Sequence, residues 1–374
     1  MLGMKNINLE DKNNKLFYIG GVVRDELLNK KSFDIDLTYV GNAIEFAKNC
    51  KGLHIKKINE PFGTVRVLIG KEEVDIASTR KEIYERAGHL PTVTEIGCPL
   101  KDDVLRRDFT INAMAKNYNT SEIIDYTGGL DDIKNKIIRV LHDKSFIEDP
   151  TRIIRALKFA VRFNFTLDKH TEELRDNYLK NINYDMSYKR VKKELIETFN
   201  LNSQKAYDEF IDKNIYKLVT KNTINKPVKN IEQIINKYKS EINNKNIWLI
   251  YVGTLEDLSN LELTKEEQCI LKNYNYVKDK DLKTDFDIYK AFENCPVESV
   301  LLYGILVNDT ISTKYLDLLK QIKISINGES LKKLGIKPSE KYQECFDFIL
   351  KEKLNNPQIS TQEEIKLAGL FFGL

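Results

Sequence analysis

Paired cysteines, clustered histidines, long apolar runs and an excess of charge of either sign are all missing from this chain. Its 374 residues hold five cysteines and four histidines. Cys50, Cys98, Cys269, Cys295 and Cys345 stand far apart with no CxxC pair. That excludes a zinc ribbon or a disulfide framework and fits reduced thiols in a cytosol. With only His54, His89, His142 and His170 available, a His/Asp phosphohydrolase site cannot be assembled, and His142-Asp143 finds no ligands downstream. Met1–Lys15 has no apolar h-region, and no stretch approaches about 18 apolar residues, so a soluble cytoplasmic protein is expected. The formal charge is +3, from 59 basic and 56 acidic side chains, with no basic arm. Bulk charge therefore does not point to nucleic acid, and such a reading has to come from motifs.

What is there begins at Leu16. The stretch LFYIGGVVRDELLNKKSFDIDLTYV (Leu16–Val40) carries Gly20-Gly21, Arg24-Asp25 and then Asp34-Ile35-Asp36. Phe33, Ile35 and Leu37 alternate with Asp34, Asp36 and Thr38, the period of a β-strand, which puts both carboxylates on one face. Two ionised carboxylates side by side repel unless a cation lies between them. Oxygen ligands with no histidine or thiol nearby suit Mg²⁺ rather than zinc. A glycine pair and an arginine upstream supply what a triphosphate needs, close backbone approach and a fork of donors. Singly, a DxD is common on loops, and Gly20-Gly21 is not the GxGxxG dinucleotide fingerprint. In this order the elements read as metal-assisted nucleotidyl transfer.

Strand and helix signals alternate through the first part of the chain. Leu16–Ile19 reads as a strand, Val22–Leu28 as a helix, Phe33–Val40 as the carboxylate strand and Ala43–Asn49 as a helix. Thr64–Ile69 and Val74–Ser78 read as a hairpin turning at Gly70–Glu73. Asp75, on its second strand, is either a third carboxylate facing the first two or an edge-strand charge. Residues 80–105, with Gly88, Pro91, Gly97 and Pro99, read as a long connection, and such connections are usually functional or mobile. From about Asp149 onward helix-period patterns dominate. An α/β head of roughly 140 residues followed by an all-α remainder is expected.

Two further constellations carry chemistry. Residues 106–115 read Arg-Arg-Asp-Phe-Thr-Ile-Asn-Ala-Met-Ala, and the alternation from Phe109 predicts a strand or a strand leading into a helix. Arg106, Arg107 and Asp108 ahead of it form either a surface salt bridge or a nucleotide contact, arginine on phosphate or ribose and Asp108 accepting a sugar hydroxyl. Residues 148–163, EDPTRIIRALKFAVRF, pattern as a helix with Asp149 as N-cap and Pro150 at N1. Arg152, Arg155 and Lys158 recur along one face of it. Glu148, four residues before Arg152, is expected to pair with it and fix its plane. Asp149 and Arg152 then offer an acceptor beside a donor fork. Cytosine and adenine each present an exocyclic amine beside a ring-nitrogen acceptor, whereas uracil and guanine invert that pattern. The pair accepts C and A and rejects U and G, at about 1–3 kcal/mol per bidentate contact.

With these residues in place, the chain resembles the bacterial class II tRNA nucleotidyltransferases (CCA-adding enzymes) and the bacterial poly(A) polymerases. GGVVRD, DIDL, FGTVRV, VDIASTR, RRDFTINAMA, DYTGGLDDIKNKIIRVL and EDPTRIIRALKFAVRF carry the resemblance, with INGESLKKLGIKPSEKYQECFDFIL matching more weakly. It implies an α/β, DNA polymerase β-like nucleotidyltransferase head at residues 1–140. A helical neck at 141–205, a body at 206–322 and a tRNA-binding tail at 323–374 follow. It implies stepwise addition of C, C and A to the tRNA 3′ end from CTP and ATP, by two-metal Mg²⁺-dependent displacement of pyrophosphate. Asp34 and Asp36 match the metal-binding, catalytic pair. Gly21 and Arg24 match triphosphate contacts, and Arg107 with Asp108 nucleotide and ribose contacts. Asp149 and Arg152 match the base readers with Glu148 orienting them, and Arg155 a further nucleotide contact. Lys158 stands where many relatives carry arginine, keeping charge but losing a planar fork. Lys189, in Met186–Arg190, replaces a glutamate usual in the family.

The same resemblance implies that the all-α part grips the acceptor and TΨC arms of tRNA through phosphates. It implies no membrane and no protein partner. Three related activities compete: full CCA addition, A-only or CC-only addition, and poly(A) tailing. The full-length span from Arg80 to Arg106 favours CCA or A addition over CC addition. Lys57–Gly63 lacks the Gly-Arg-Arg/Lys-Phe segment of the poly(A) polymerases. A catalytically silent RNA-binding module is the rival from another class, disfavoured because a silent chain has no physical need of a repulsive acidic pair.

Overall fold

The computed structural model of the protein describes residues 9–31, 35–70, 72–222 and 224–374. Asp34, the first of the acidic pair, lies outside the described residues. The chain divides into two compact units, Met1–Lys221 and Asn222–Leu374.

The first unit is built on a seven-stranded mixed sheet of order β3-β4-β5-β2-β1-β8-β9. Its strands are β1 (Leu16–Ile19), β2 (Ile35–Tyr39), β3 (His54–Asn59), β4 (Thr64–Ile69), β5 (Glu72–Ser78), β8 (Met114–Asn117) and β9 (Ile123–Asp125). Helices α1 (Gly21–Leu27) and α2 (Ala43–Asn49) cover one face. Val22, Val23, Ala43, Ile44 and Ala47 pack there on Leu37, Val65, Val67, Val74 and Ile76. Period-2 alternation sends the neighbours of these residues, Asp36 on β2 and Asp75 on β5, to the other face. That face is covered only in part, by Leu100 and Val104 of α3 (Leu100–Leu105) packed on Phe17, Ile19 and Ala115.

The span from Arg80 to Arg106 is ordered rather than a bare connection. β6 (Arg80–Ile83) and β7 (Thr92–Ile96) pair antiparallel as a separate hairpin, and α3 follows. The expected strand at Phe109–Ala115 forms only from Met114. Thr110–Asn112 makes a 3-10 turn instead, because the Thr110 hydroxyl donates to Asp132 at 2.6 Å and its N–H to the Arg139 carbonyl at 3.0 Å. Alternation of apolar residues is blind to such bonds to residues more than twenty positions away.

Helices complete this unit: α4 (Gly129–Asn135), α5 (Ser145–Glu148), α6 (Thr151–Phe163), α7 (Lys169–Lys180), α8 (Tyr188–Phe199) and α9 (Gln204–Asp212). A short parallel pair, β10 (Ile137–Ile138) with β11 (Thr166–Leu167), ties the start of α7 back to the region after α4. Residues 206–221, expected at the start of the body, lie in this first unit.

The second unit is helical from Ile231–Lys237 through Thr361–Phe372. Trp248 and Tyr251 of Ile247–Val252 are fully buried, and Ile326, Leu331, Cys345, Ile349 and Ala368 form a further core near its end. Thr264, Thr284, Asn327 and Ser360 each open a helix with a reciprocal capping box. Among the described residues no helix is long and apolar enough to cross a membrane.

Candidate active site

The parallel pairing of β2 with β5 sets Asp36 directly beside Asp75, and the antiparallel pairing of β5 with β4 sets Asp75 beside Arg66. On the face that α1 and α2 leave open, these three side chains form a row. Arg66 grips Asp75 with both forks, Nε to Oδ1 and Nη2 to Oδ2, each at 2.7 Å. Asp75 is therefore an ion-paired neighbour of Asp36. Asp36, Asp75 and Arg66 line a pocket of about 480 Å³ together with Lys57, Arg106 and Arg107. No histidine or cysteine lines it, and among the described residues no cluster of three metal-ligating side chains occurs; Asp34 falls outside that set.

Arg107 reaches this pocket past Gly20. Gly20 has φ +72°, and a Cβ there would meet Arg107 Nη1 at 2.8 Å. The first glycine of the pair thus admits the guanidinium, while Gly21 opens α1. Arg107 donates from Nη2 to Asp103 at 3.3 Å, and its buried Nε has no partner among the described residues. Burial pushes the guanidinium below its ordinary pKa, and Asp103 opposes that shift. Arg24 sits deeper, 4% exposed, between Asp25 (Nε to Oδ1, 2.9 Å) and Asn112. The rings of Phe163 and Phe159 lie 4.5 and 5.0 Å from it. Arg24 is thus buried behind the glycine turn and is not among the residues that line the pocket.

Asp108 is 9% exposed and fully engaged. Its Oδ1 accepts from the Phe109 N–H (2.8 Å) and Asn112 Nδ2 (3.0 Å), and its Oδ2 from Arg155 Nε and Nη2 (2.8 and 2.6 Å). Burial alone would raise its pKa, but Arg155 and Asn112 outweigh it and hold the carboxyl at about 2. Arg155 also reaches Glu194 on α8 at 3.1 Å. Lys158 lies one turn on, donating to Glu194 (2.7 Å) and Glu197 (2.6 Å), so it joins α6 to α8.

At the start of α6 the expected base-reading pair is present and buried, Asp149 and Arg152 each 4% exposed. The expected partner of Arg152 is a different one. Asp149 has an extended backbone (φ −140°, ψ 91°) that ends α5, so Glu148 belongs to a separate helix and faces His142 at 3.5 Å. The i,i+4 argument fails because one helix does not run through both residues. Arg152 instead donates from Nη1 to Ser145 Oγ (2.7 Å) and from Nη2 to the Arg106 carbonyl (3.2 Å) and Tyr84 OH (3.4 Å). Asp149 accepts through Oδ1 from the Thr151 N–H (3.1 Å) and hydroxyl (2.6 Å) and through Oδ2 from Arg190; α6 opens one residue later than expected, with Pro150 rather than Asp149 at its N-cap.

Arg190 is the residue that sequence reasoning passed over. From α8 it holds Asp149 and also donates to the His89 carbonyl at 3.0 Å, at the tip of the β6–β7 hairpin. That tip is fastened to the segment before α8: Arg86 pairs with Asp185, and Ser187 N–H donates to the Gly88 carbonyl at 3.0 Å. Gly88 has φ +81°, and a Cβ there would meet Met186 Cβ at 2.8 Å. Its N–H donates to the Glu148 carbonyl at 2.8 Å. Its one trace in the sequence is its place at the end of the Met186–Arg190 segment, one residue after Lys189.

A nucleotidyltransferase-type sheet with an acidic row, beside a helix carrying a buried acceptor and donor, thus defines the class. The profile of the Poly A polymerase head domain matches residues 16–139. An A-adding tRNA nucleotidyltransferase of Halalkalibacterium halodurans is 30% identical, over 96% of this chain and 88% of that protein. Another A-adding tRNA nucleotidyltransferase, from Aquifex aeolicus, is 32% identical over 87% of this chain. The chain spans less than half of that protein's length, 43%. A solved structure described as a CCA-adding enzyme with ATP superposes with a TM-score of 0.75 at 27% identity, covering 95% of this chain and 90% of its own. The chain belongs to the family of tRNA nucleotidyltransferases and bacterial poly(A) polymerases.

Proposed function

We propose that the protein transfers nucleotides from CTP and ATP to the 3′ end of tRNA, completing CCA without a nucleic-acid template in the cytoplasm. The terminal ribose hydroxyl attacks the α-phosphorus of the bound nucleotide, the bond to the bridging oxygen breaks, and pyrophosphate leaves. The single observation that carries this reading is the register of Asp36 beside Asp75 on the open sheet face, in one pocket with Arg107. Carboxylate oxygens at a pocket that no histidine or cysteine lines fit Mg²⁺, and we assign Asp34 and Asp36 as its ligands. The metal, when bound, supplies activation of the attacking hydroxyl and charge stabilisation at the leaving pyrophosphate.

The chain's own residues divide the rest of the task. The unpartnered Nε of Arg107 is a donor in want of an acceptor, which suits a phosphate oxygen, and Gly20-Gly21 lets the triphosphate approach the backbone. Asp108 and Arg155, locked together, form the wall on which the ribose rests. Arg152 has three of its five N–H groups engaged. An Asp149 oxygen becomes free to accept from an amine once Arg190 or Thr151 gives way. The pair therefore reads the amine and ring nitrogen of C or A, and leaves buried groups unpaired against U or G. Lys158 and Arg24 act behind this surface as braces.

Addition of the terminal A alone is the second reading, favoured by the names of the two relatives above. Extension of tRNA transcripts ending before CCA, after C and after CC, with each of the four nucleotides offered singly, tests both. Full CCA addition predicts CTP use on the first two and ATP use on the third. ATP use on the third alone selects the second reading. UTP or GTP used as readily as CTP overturns the base reading, and no incorporation at all overturns the proposal.

A further inference from the structure

A second cleft in the first unit, about 980 Å³, opens between the end of α7, residues 181–184 and the segment from Asp212 to Lys221 after α9. Lys180, Lys213, Lys217 and Lys221 line it. Among the described residues none of the four forms an ion pair; Lys221 lies over the Tyr184 ring, 4.3 Å from its centroid. Of the two carboxylates on the wall, Asp176 is taken up by Arg175 at 2.8 Å, which leaves Asp212. Four cations against one uncompensated carboxylate, in a concave surface, focus a positive potential.

The kind of cation matters. The sheet-face pocket uses guanidinium forks held in place by carboxylates, as recognition of one small anion demands. This cleft uses ammonium groups on flexible stems, which act as point charges and suit a polyanion held at several phosphates without reading its sequence. The rim is also continuous with the base readers. The Tyr184 carbonyl accepts from Met186 N–H at 3.0 Å, the next residue, Asp185, holds the hairpin through Arg86, and Arg190 holds Asp149.

We propose that this cleft binds the phosphodiester backbone of the tRNA substrate, away from the 3′ end that lies at Asp149. The inference rests on the function proposed above. Its test combines Lys180→Gln, Lys213→Gln, Lys217→Gln and Lys221→Gln in the full chain and follows affinity for a tRNA transcript lacking CCA as salt is raised. The expected result is a loss of at least about tenfold in affinity at low salt. The slope of log Kd against log salt should flatten by about one for each lysine that meets a phosphate. ATP affinity stays unchanged and serves as the check on folding. Asp212→Asn, a milder change, should raise tRNA affinity severalfold, and it keeps the test open if the quadruple variant does not fold. A wild-type enzyme that extends tRNA while neither variant moves affinity or slope overturns the cleft alone; that outcome would fit an acidic protein as occupant. A wild-type chain that neither binds nor extends tRNA overturns both readings.

Discussion

The open sheet face and the start of α6 treat their charges in opposite ways. On the sheet, Asp36 is exposed beside Asp75, in a pocket whose arginines approach from neighbouring strands and from the turn after α3. At α6, Asp149 and Arg152 are each 4% exposed and already held by Arg190, Thr151, Ser145 and Tyr84. The first arrangement keeps its acids toward the surface, Asp75 paired with Arg66 and Asp36 exposed beside it, as the proposed cation-binding site requires. The second holds its charges in internal contacts, so that under the proposed function a base must match them well enough to take over contacts already made. On the proposed reading, the chemical site lies at the surface and the selecting site is locked.

Variants that attack one side and spare the other sharpen this contrast. Asp36→Ala is expected to cost on the order of 10³-fold or more in turnover. Because the side chain is exposed, stability in urea should change by no more than about 0.5 kcal/mol. Steady-state rates together with a denaturation curve check both halves. Asp149→Ala should instead retain transfer but lose discrimination between CTP and UTP by about 10–100-fold, read from the ratio of kcat/KM values.

Arg190→Ala removes the cation from a buried carboxylate and frees the hairpin tip. It should destabilise the protein by about 1–3 kcal/mol and raise UTP misincorporation, whereas Arg190→Lys restores stability better than selectivity. A residue with only a structural role would move the denaturation midpoint without moving the misincorporation ratio. The smallest effect concerns acid. Asp108 is held at about 2 against an ordinary 3.8, so the native state releases its proton more readily than the unfolded chain does. Its contribution, about 2 kcal/mol, is full above about pH 4 and is lost as the pH falls toward about 2. Denaturation curves across that range should show a shallower acid limb for Asp108→Asn.

Much of the sheet was legible because strands announce themselves by alternation and glycine turns by composition. Leu16–Ile19, Ala43–Asn49 and the Thr64–Ser78 hairpin form where the pattern puts them, the hairpin's second strand starting at Glu72. The acidic row was half legible: period 2 gives the face of Asp36, but only the parallel register of β2 on β5 brings Asp75 alongside. Sequence spacing misled at Glu148, where it counted four residues along a helix that Asp149 interrupts. It also could not see that the Arg80–Arg106 span pairs with itself, or that its tip docks on residues 185–187, about a hundred positions away. Long-range side-chain contacts such as Arg190 to Asp149 have no periodic signature at all.

One complex tests the central claim most directly: the full chain crystallised with Mg²⁺ and a non-hydrolysable ATP or CTP analogue. A single nucleotide is expected to span both halves, its triphosphate and metal at Asp36 with Arg107 on a phosphate, its base edge on Asp149 and Arg152. A nucleotide bound with no metal at the acidic row, or with its base turned away from the start of α6, would contradict it.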